Sequence, residues 1–188
     1  MTIFVDLDGT FLDTLNSNFH AYSNELIKLG INLDLEYFSK RCFGNSAKDF
    51  LRDLCLKKED VEKIIQNKHR NYSKYFQLIL LNESLLVGLT NLKSTHEIML
   101  FTNASRVGTL DLLKYFNLAD FFDGILTIED FEYPKPNPKS FQFALAHNKI
   151  NTIPYLIDDS YDNLTISNEM GFRSISVSNF YLEFFQSS

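Results

Sequence analysis

Asp6 and Asp8 stand two residues apart near the start of the chain, and Gly9 follows them directly. Side chains two apart in an extended segment point the same way, so both acids can face one site. Gly9 lets the backbone turn close to a ligand. Two carboxylates this near repel, and one of them takes up a proton unless a cation sits between. Oxygen ligands of this kind favour a hard ion such as Mg²⁺. The plain alternative is that Asp, Asp and Gly form an ordinary turn, so the rest of the chain must decide.

The residues just before Asp6 say what positions it. Ile3, Phe4 and Val5 form a short β-branched and aromatic run, which predicts a buried strand ending at Asp6. In an open parallel sheet, ligands bind beyond the C-terminal tips of the strands. Three more predicted strands bear on this. Glu97–Phe101 ends at Thr102 and Asn103, and Ile153–Ile157 ends at Asp158 and Asp159. Between them Phe122–Thr127 reads as a further strand, followed by Pro134-Lys135-Pro136-Asn137-Pro138. The three prolines fix a rigid loop around Lys135, and Pro138 suits the first turn of a helix. A fifth strand is predicted over Ser174–Val177. The strand ends then bring up to four carboxylates, one amine and one hydroxyl to a single rim. A metal satisfies the acids, and the lysine and hydroxyl remain for an anion such as phosphate.

Residues 15–83 have a different character. Apolar positions Phe19, Tyr22, Leu26 and Leu29 recur at helical spacing up to Gly30, which predicts a C-terminal cap. Further helices are expected over Leu33–Cys42, after a Ser46 cap, and from Lys58 to about Leu80. No strand is expected in this region. The organisation predicted is an α/β core over 1–14 and 84–188, with a small all-helical cap domain over 15–83. The core is expected to be a Rossmann-like parallel sheet with helices on both faces.

Composition excludes several classes. The net charge of −6, without a basic cluster, argues against nucleic acid as a partner. No apolar run is long enough to span a membrane. Two cysteines without C-x-x-C spacing fit buried thiols in a reducing cytoplasm better than a disulfide scaffold. None of the four histidines pairs at metal-ligand spacing. The aromatic tail, Phe180–Phe185, reads as packing against the core.

The chain resembles the haloacid dehalogenase-like hydrolase superfamily, on its branch with a helical cap inserted after the first motif. Four motifs carry the resemblance in order: D-L-D-G-T at 6–10, F-T-N at 101–103, P-K-P-N-P at 134–138 and I-D-D-S at 157–160. The resemblance implies an Mg²⁺-dependent phosphomonoester hydrolase of small phosphorylated metabolites. It implies Asp6 as nucleophile, forming an aspartyl-phosphate, and Asp8 as general acid and then base. It further implies that Asp6, the Asp8 carbonyl and Asp159 bind the metal, with Asp158 bound directly or through water. Thr102 and the N–H of Asn103 are expected to hold the phosphoryl oxygens, and Lys135 to neutralise charge. Arg41, Asn45 and Lys48 are cap candidates for contacting the rest of the substrate. An acid often closes the last motif; here Asn163 stands in that register. An acid at Asp8 separates this chain from dehalogenase members, because a halide leaves without a proton. A phosphomutase, or a binding protein that keeps the fold without catalysis, remains the alternative.

Overall fold

A computed structural model describes residues 1–44 and 46–185. The chain forms two compact units, Met1–Leu12 with Leu81–Ser188, and Asp13–Leu80.

The first unit is built on five parallel strands: β1 (Thr2–Val5), β4 (Glu97–Phe101), β5 (Gly124–Leu126), β6 (Tyr155–Asp158) and β7 (Arg173–Ser176), in the order β5-β4-β1-β6-β7. Two further strands of two residues each, β2 (Leu12–Asp13) and β3 (Leu80–Leu81), pair with each other. Ile3, Phe4 and Val5 are all buried, though neighbours along a strand face opposite ways. Both faces of the sheet are therefore covered, as an all-parallel sheet requires. Phe4, Phe101 and Leu156 pack with Phe141, Ala144 and Phe172. Phe4 meets Phe101 edge-on, with ring centroids 5.9 Å apart.

The helices of this unit are α5 (Glu83–Leu92), α6 (Arg106–Tyr115), α7 (Pro138–His147), α8 (Tyr161–Glu169) and α9 (Phe180–Phe185). Four of them start with a side-chain cap. Asn82, Ser105, Asn137 and Ser160 accept backbone N–H bonds from Leu85, Gly108, Lys139 and Asn163 respectively. Three of these caps lie in the loops after β4, β5 and β6, so they also fix the loops that carry the polar strand tips. The aromatic tail packs as expected: Phe180 lies against Gly88 of α5, and the Tyr181 hydroxyl donates to the Ser84 carbonyl at 2.5 Å.

The second unit contains α1 (Leu15–Leu26), α2 (Leu35–Tyr37), α3 (Ala47–Asp53) and α4 (Lys58–Asn71). Its own core gathers Tyr22, Leu26, Phe38, Phe50, Leu51, Val61 and Ile64. Gly30 closes α1 and the turn after it in the left-handed conformation (φ +75°). Three details depart from the sequence reading. The helix expected over Leu33–Cys42 is one short α-turn continued by a wider π-turn over Phe38–Cys42. Ser46 precedes α3, but its hydroxyl makes no capping bond. The paired strands β2 and β3 are too short to register as a periodic pattern.

Candidate active site

The sheet register brings the site together. Val5 pairs with Leu100 on one side and with Ile157 on the other. The next residue, Asp6, therefore lies level with Phe101 and Asp158, and its N–H continues the ladder to the Ile157 carbonyl at 2.9 Å. Thr102 follows one step beyond Phe101, and its N–H bonds to the Leu126 carbonyl at 3.0 Å. Central position in the sheet is what allows β1 to hold an acid between two neighbouring strand tips.

Lys135 reaches this point from the proline-rich loop. Its Nζ donates to Asp6 Oδ1 at 2.9 Å and to Asp158 Oδ2 at 2.8 Å. The lysine is only 4% exposed, and Asp6 and Asp158 are 7% and 0% exposed. The Phe101 ring lies 5.0 Å from the ammonium, adding a cation–π contact. The loop is held by Asn103, whose side chain donates to the Lys135 carbonyl and accepts from the Lys135 N–H, both at 2.9 Å. A planar amide that pairs with one backbone unit in both directions fixes that unit's position and orientation.

Asp159 is exposed and bonded by the Thr10 hydroxyl at 3.2 Å. Carboxylate oxygens of Asp6, Asp158 and Asp159 all lie within 4.8 Å of one another. Gly9, at φ +87°, leaves room for the Asp159 carboxylate; a Cβ there would collide with it. Asp8 is half-buried. The Thr102 hydroxyl oxygen accepts from the Ala104 N–H at 3.0 Å. With that lone pair engaged, the hydroxyl proton is left to point elsewhere.

Charge in this cluster is unbalanced. Burial drives the Asp6 carboxyl well above the usual carboxylate range; Lys135 opposes the shift, while Asp158 and Asp8 add to it. Burial also raises Asp159, with a further contribution from Asp158. Burial alone would lower the pKa of Lys135, but the two carboxylates in contact with it reverse the sign and hold the ammonium above its ordinary value. With all three acids ionised, one ammonium would leave two negative charges uncompensated. An all-oxygen donor set with surplus negative charge and an exposed member suits a hard divalent cation. The residues present therefore fit such an ion.

The structure thus brings together Asp6, Lys135, Asp158 and Asp159 from the residues singled out in the sequence, with Asn103 beside Lys135. Arg41 and Lys48 are exposed side chains of the second unit, and Asn45 lies outside the described residues. Three contributions were missed by sequence reasoning: Thr10 on Asp159, the Asn103 side chain on the lysine loop, and Asn163 on Asp158. The motifs contain Thr10 and Asn103, and Asn163 stands three residues past the last of them, but none of this signals which atom each contacts.

A parallel α/β core with acids at its strand tips, and a buried lysine brought to them from a loop, suits a hydrolytic enzyme. The chain belongs to the haloacid dehalogenase-like hydrolase family, whose model matches residues 3–177. Among curated relatives, a pyrophosphatase PpaX of Bacillus mycoides is 27% identical over 192 aligned residues, covering 94% of this chain and 83% of the relative. Among solved structures, a beta-phosphoglucomutase of Clostridium difficile superposes with a TM-score of 0.75 at 22% identity, covering 93% of this chain and 83% of that one. CbbY of Rhodobacter sphaeroides, solved in complex with phosphate, superposes with a TM-score of 0.77 at 20% identity, covering 93% and 84%.

Proposed function

We propose that the protein is an Mg²⁺-dependent phosphatase of small phosphorylated metabolites, working through an aspartyl-phosphate in the cytoplasm. The observation that carries the reading is the buried Lys135 ammonium shared by Asp6 and Asp158 beside the exposed Asp159. A purely structural ion pair needs one acid for one lysine, and it needs no further carboxylate facing solvent.

In this reading an Asp6 carboxylate oxygen attacks phosphorus, and the P–O bond to the leaving group breaks. Asp8 gives its proton to the departing alkoxide. The Asp8 carboxylate then takes a proton from water, and the resulting nucleophile cleaves the acyl phosphate, releasing inorganic phosphate and Asp6. The Thr102 hydroxyl, the Asn103 N–H and the Lys135 ammonium hold the phosphoryl oxygens and absorb developing charge. Asp6, the Asp8 carbonyl, Asp159 and, directly or through water, Asp158 would hold Mg²⁺. When bound, the ion supplies charge neutralisation that lets Asp6 stay ionised. We assign residues 15–83 to a cap that screens substrates, with Arg41, Asn45 and Lys48 as its contacts to the non-reacting end.

The test is a panel of phosphorylated compounds with purified protein and Mg²⁺: an aryl phosphate, phosphoglycolate, sugar phosphates, nucleoside monophosphates and, because relatives carry the name, inorganic pyrophosphate. Release of inorganic phosphate from at least one is expected. Tight binding without release would make the protein a binder. An isomerised product that needs a bisphosphate activator would make it a mutase.

A further inference from the structure

Asp158 is the acid whose part in the site the sequence left open. An ionised carboxylate offers about four acceptor positions. At Asp158 they meet protein donors on every side. Oδ1 accepts from the Ser160 N–H at 2.9 Å and from Asn163 Nδ2 at 3.0 Å. Oδ2 accepts from Lys135 Nζ at 2.8 Å and again from Asn163 Nδ2 at 3.0 Å. The group has no exposure to solvent. Asp159, its neighbour in sequence, is exposed and is bonded by the Thr10 hydroxyl instead.

We infer that Asn163 is a positioning residue that reserves Asp158 for Lys135, so that Asp158 anchors the lysine and does not ligate the metal directly. This rests on the phosphatase reading above and divides the labour within that site. Asp6 and Asp159 would hold the cation; Asp158 holds the ammonium, which Asp6 shares. The Asn163 amide straddles both Asp158 oxygens and stops the carboxylate from rotating towards the cation. An aspartate at 163 offers no N–H in its ionised form, so it would repel Asp158 where asparagine holds it. Asn163 is itself buried and its backbone N–H bonds to the Ser160 cap at 3.4 Å. Its reach is therefore set by the first turn of α8, just after the strand that delivers Asp158.

The two possible roles of Asp158 predict opposite effects when the clamp is removed. If Asp158 were a direct ligand, losing the group that orients it would weaken metal binding by about 10–100-fold. If Asp158 is the lysine anchor, Asn163→Ala frees an oxygen to swing towards the cation. Affinity for Mn²⁺, used alone as the probe, is then unchanged or tighter. At the same time kcat on an aryl phosphate falls by about 10–100-fold, with KM within about threefold, because the lysine is misplaced in the transition state. Asn163→Asp should bind Mn²⁺ more tightly and lose kcat to a similar degree. Thermal melting checks that each variant is folded, and Asn163→Ser, which keeps a donor, serves if the alanine variant does not fold. Mn²⁺ affinity weakened about tenfold or more in Asn163→Ala would overturn the proposal. So would kcat within about twofold of the parent, which is what a merely structural role gives. The Mn²⁺ titration needs no turnover. If the parent protein releases no phosphate yet shows the expected Mn²⁺ behaviour, the hydrolase reading fails and the division of roles stands.

Discussion

Replacing Lys135 by methionine keeps an unbranched side chain one atom shorter and deletes its charge. The structure gives two consequences. For catalysis, on the proposed function, the lost ammonium is one charged donor to the phosphoryl group, comparable with removing one oxyanion-hole donor, about 3–4 kcal/mol or at least a 100-fold loss in turnover. For stability, Asp6 and Asp158 lose the partner at 2.9 and 2.8 Å and remain buried. Breaking a buried pair in this way costs about 3–5 kcal/mol. In a domain of this size that corresponds to a fall in melting temperature of roughly 6–20 °C. The sign of the pH dependence is also fixed. Asp6 has a folded-state pKa raised by burial, a shift Lys135 holds in check. An acid with a raised folded pKa stabilises fully below its unfolded value, near about 4, and loses that contribution as pH rises through the folded value. The Lys135 ammonium is held above its ordinary value, so its contribution is constant between about pH 5 and 8 and lost only in strong alkali. Without the lysine Asp6 shifts higher still, and mild acid neutralises it. Aryl phosphate hydrolysis with Mg²⁺ measures the first effect. Melting of parent and variant in EDTA, at about pH 5 and 8, measures the second. A loss of turnover under about threefold, or a melting deficit as large at the acid pH as at the alkaline one, would refute the reasoning.

Three further outcomes follow from the same geometry. Asp6→Asn should abolish aryl phosphate turnover, and EDTA should abolish it reversibly in the parent, with recovery on added Mg²⁺; residual activity in the variant would remove Asp6 from the nucleophile's place. Gly9→Ala adds a Cβ at φ +87° against the Asp159 carboxylate. It should cost at least about tenfold in turnover and weaken Mn²⁺ binding, measured by titration. The Thr109 hydroxyl is buried without a hydrogen-bond partner. Thr109→Val, which keeps the shape and removes the orphaned oxygen, should leave melting unchanged or raise it by about 2–4 °C, within about 1 kcal/mol.

The sheet was readable because each buried strand is an apolar run that stops at a polar residue. Edges moved by a residue or two for local reasons. Strand β6 begins at Tyr155 and not at Ile153, since Pro154 between them has no N–H to give a ladder. At the other end it runs on into Asp158, a residue polar enough to look like a loop. The chemistry-bearing acids and lysine were visible as types at strand tips. Their contacts were not. Asn103 holds the backbone of Lys135 across 32 positions, and Thr10 meets Asp159 across 149. No periodicity carries such pairs; the first exists only once β4 lies beside β5, and the second once β1 lies beside β6. The π-turn over Phe38–Cys42 was hidden for the opposite reason: it differs from an α-turn by one residue of hydrogen-bond reach, while the apolar spacing looks the same.

The place of β1 in the middle of the sheet has a bearing on biosynthesis. Asp6 precedes in the chain both strands that flank β1 and the amine it pairs with: β4, Lys135 and β6 all follow it by some ninety residues or more. The cluster is therefore complete only once Asp158 and Asp159 have joined Asp6 and Lys135, after more than four fifths of the chain has been made.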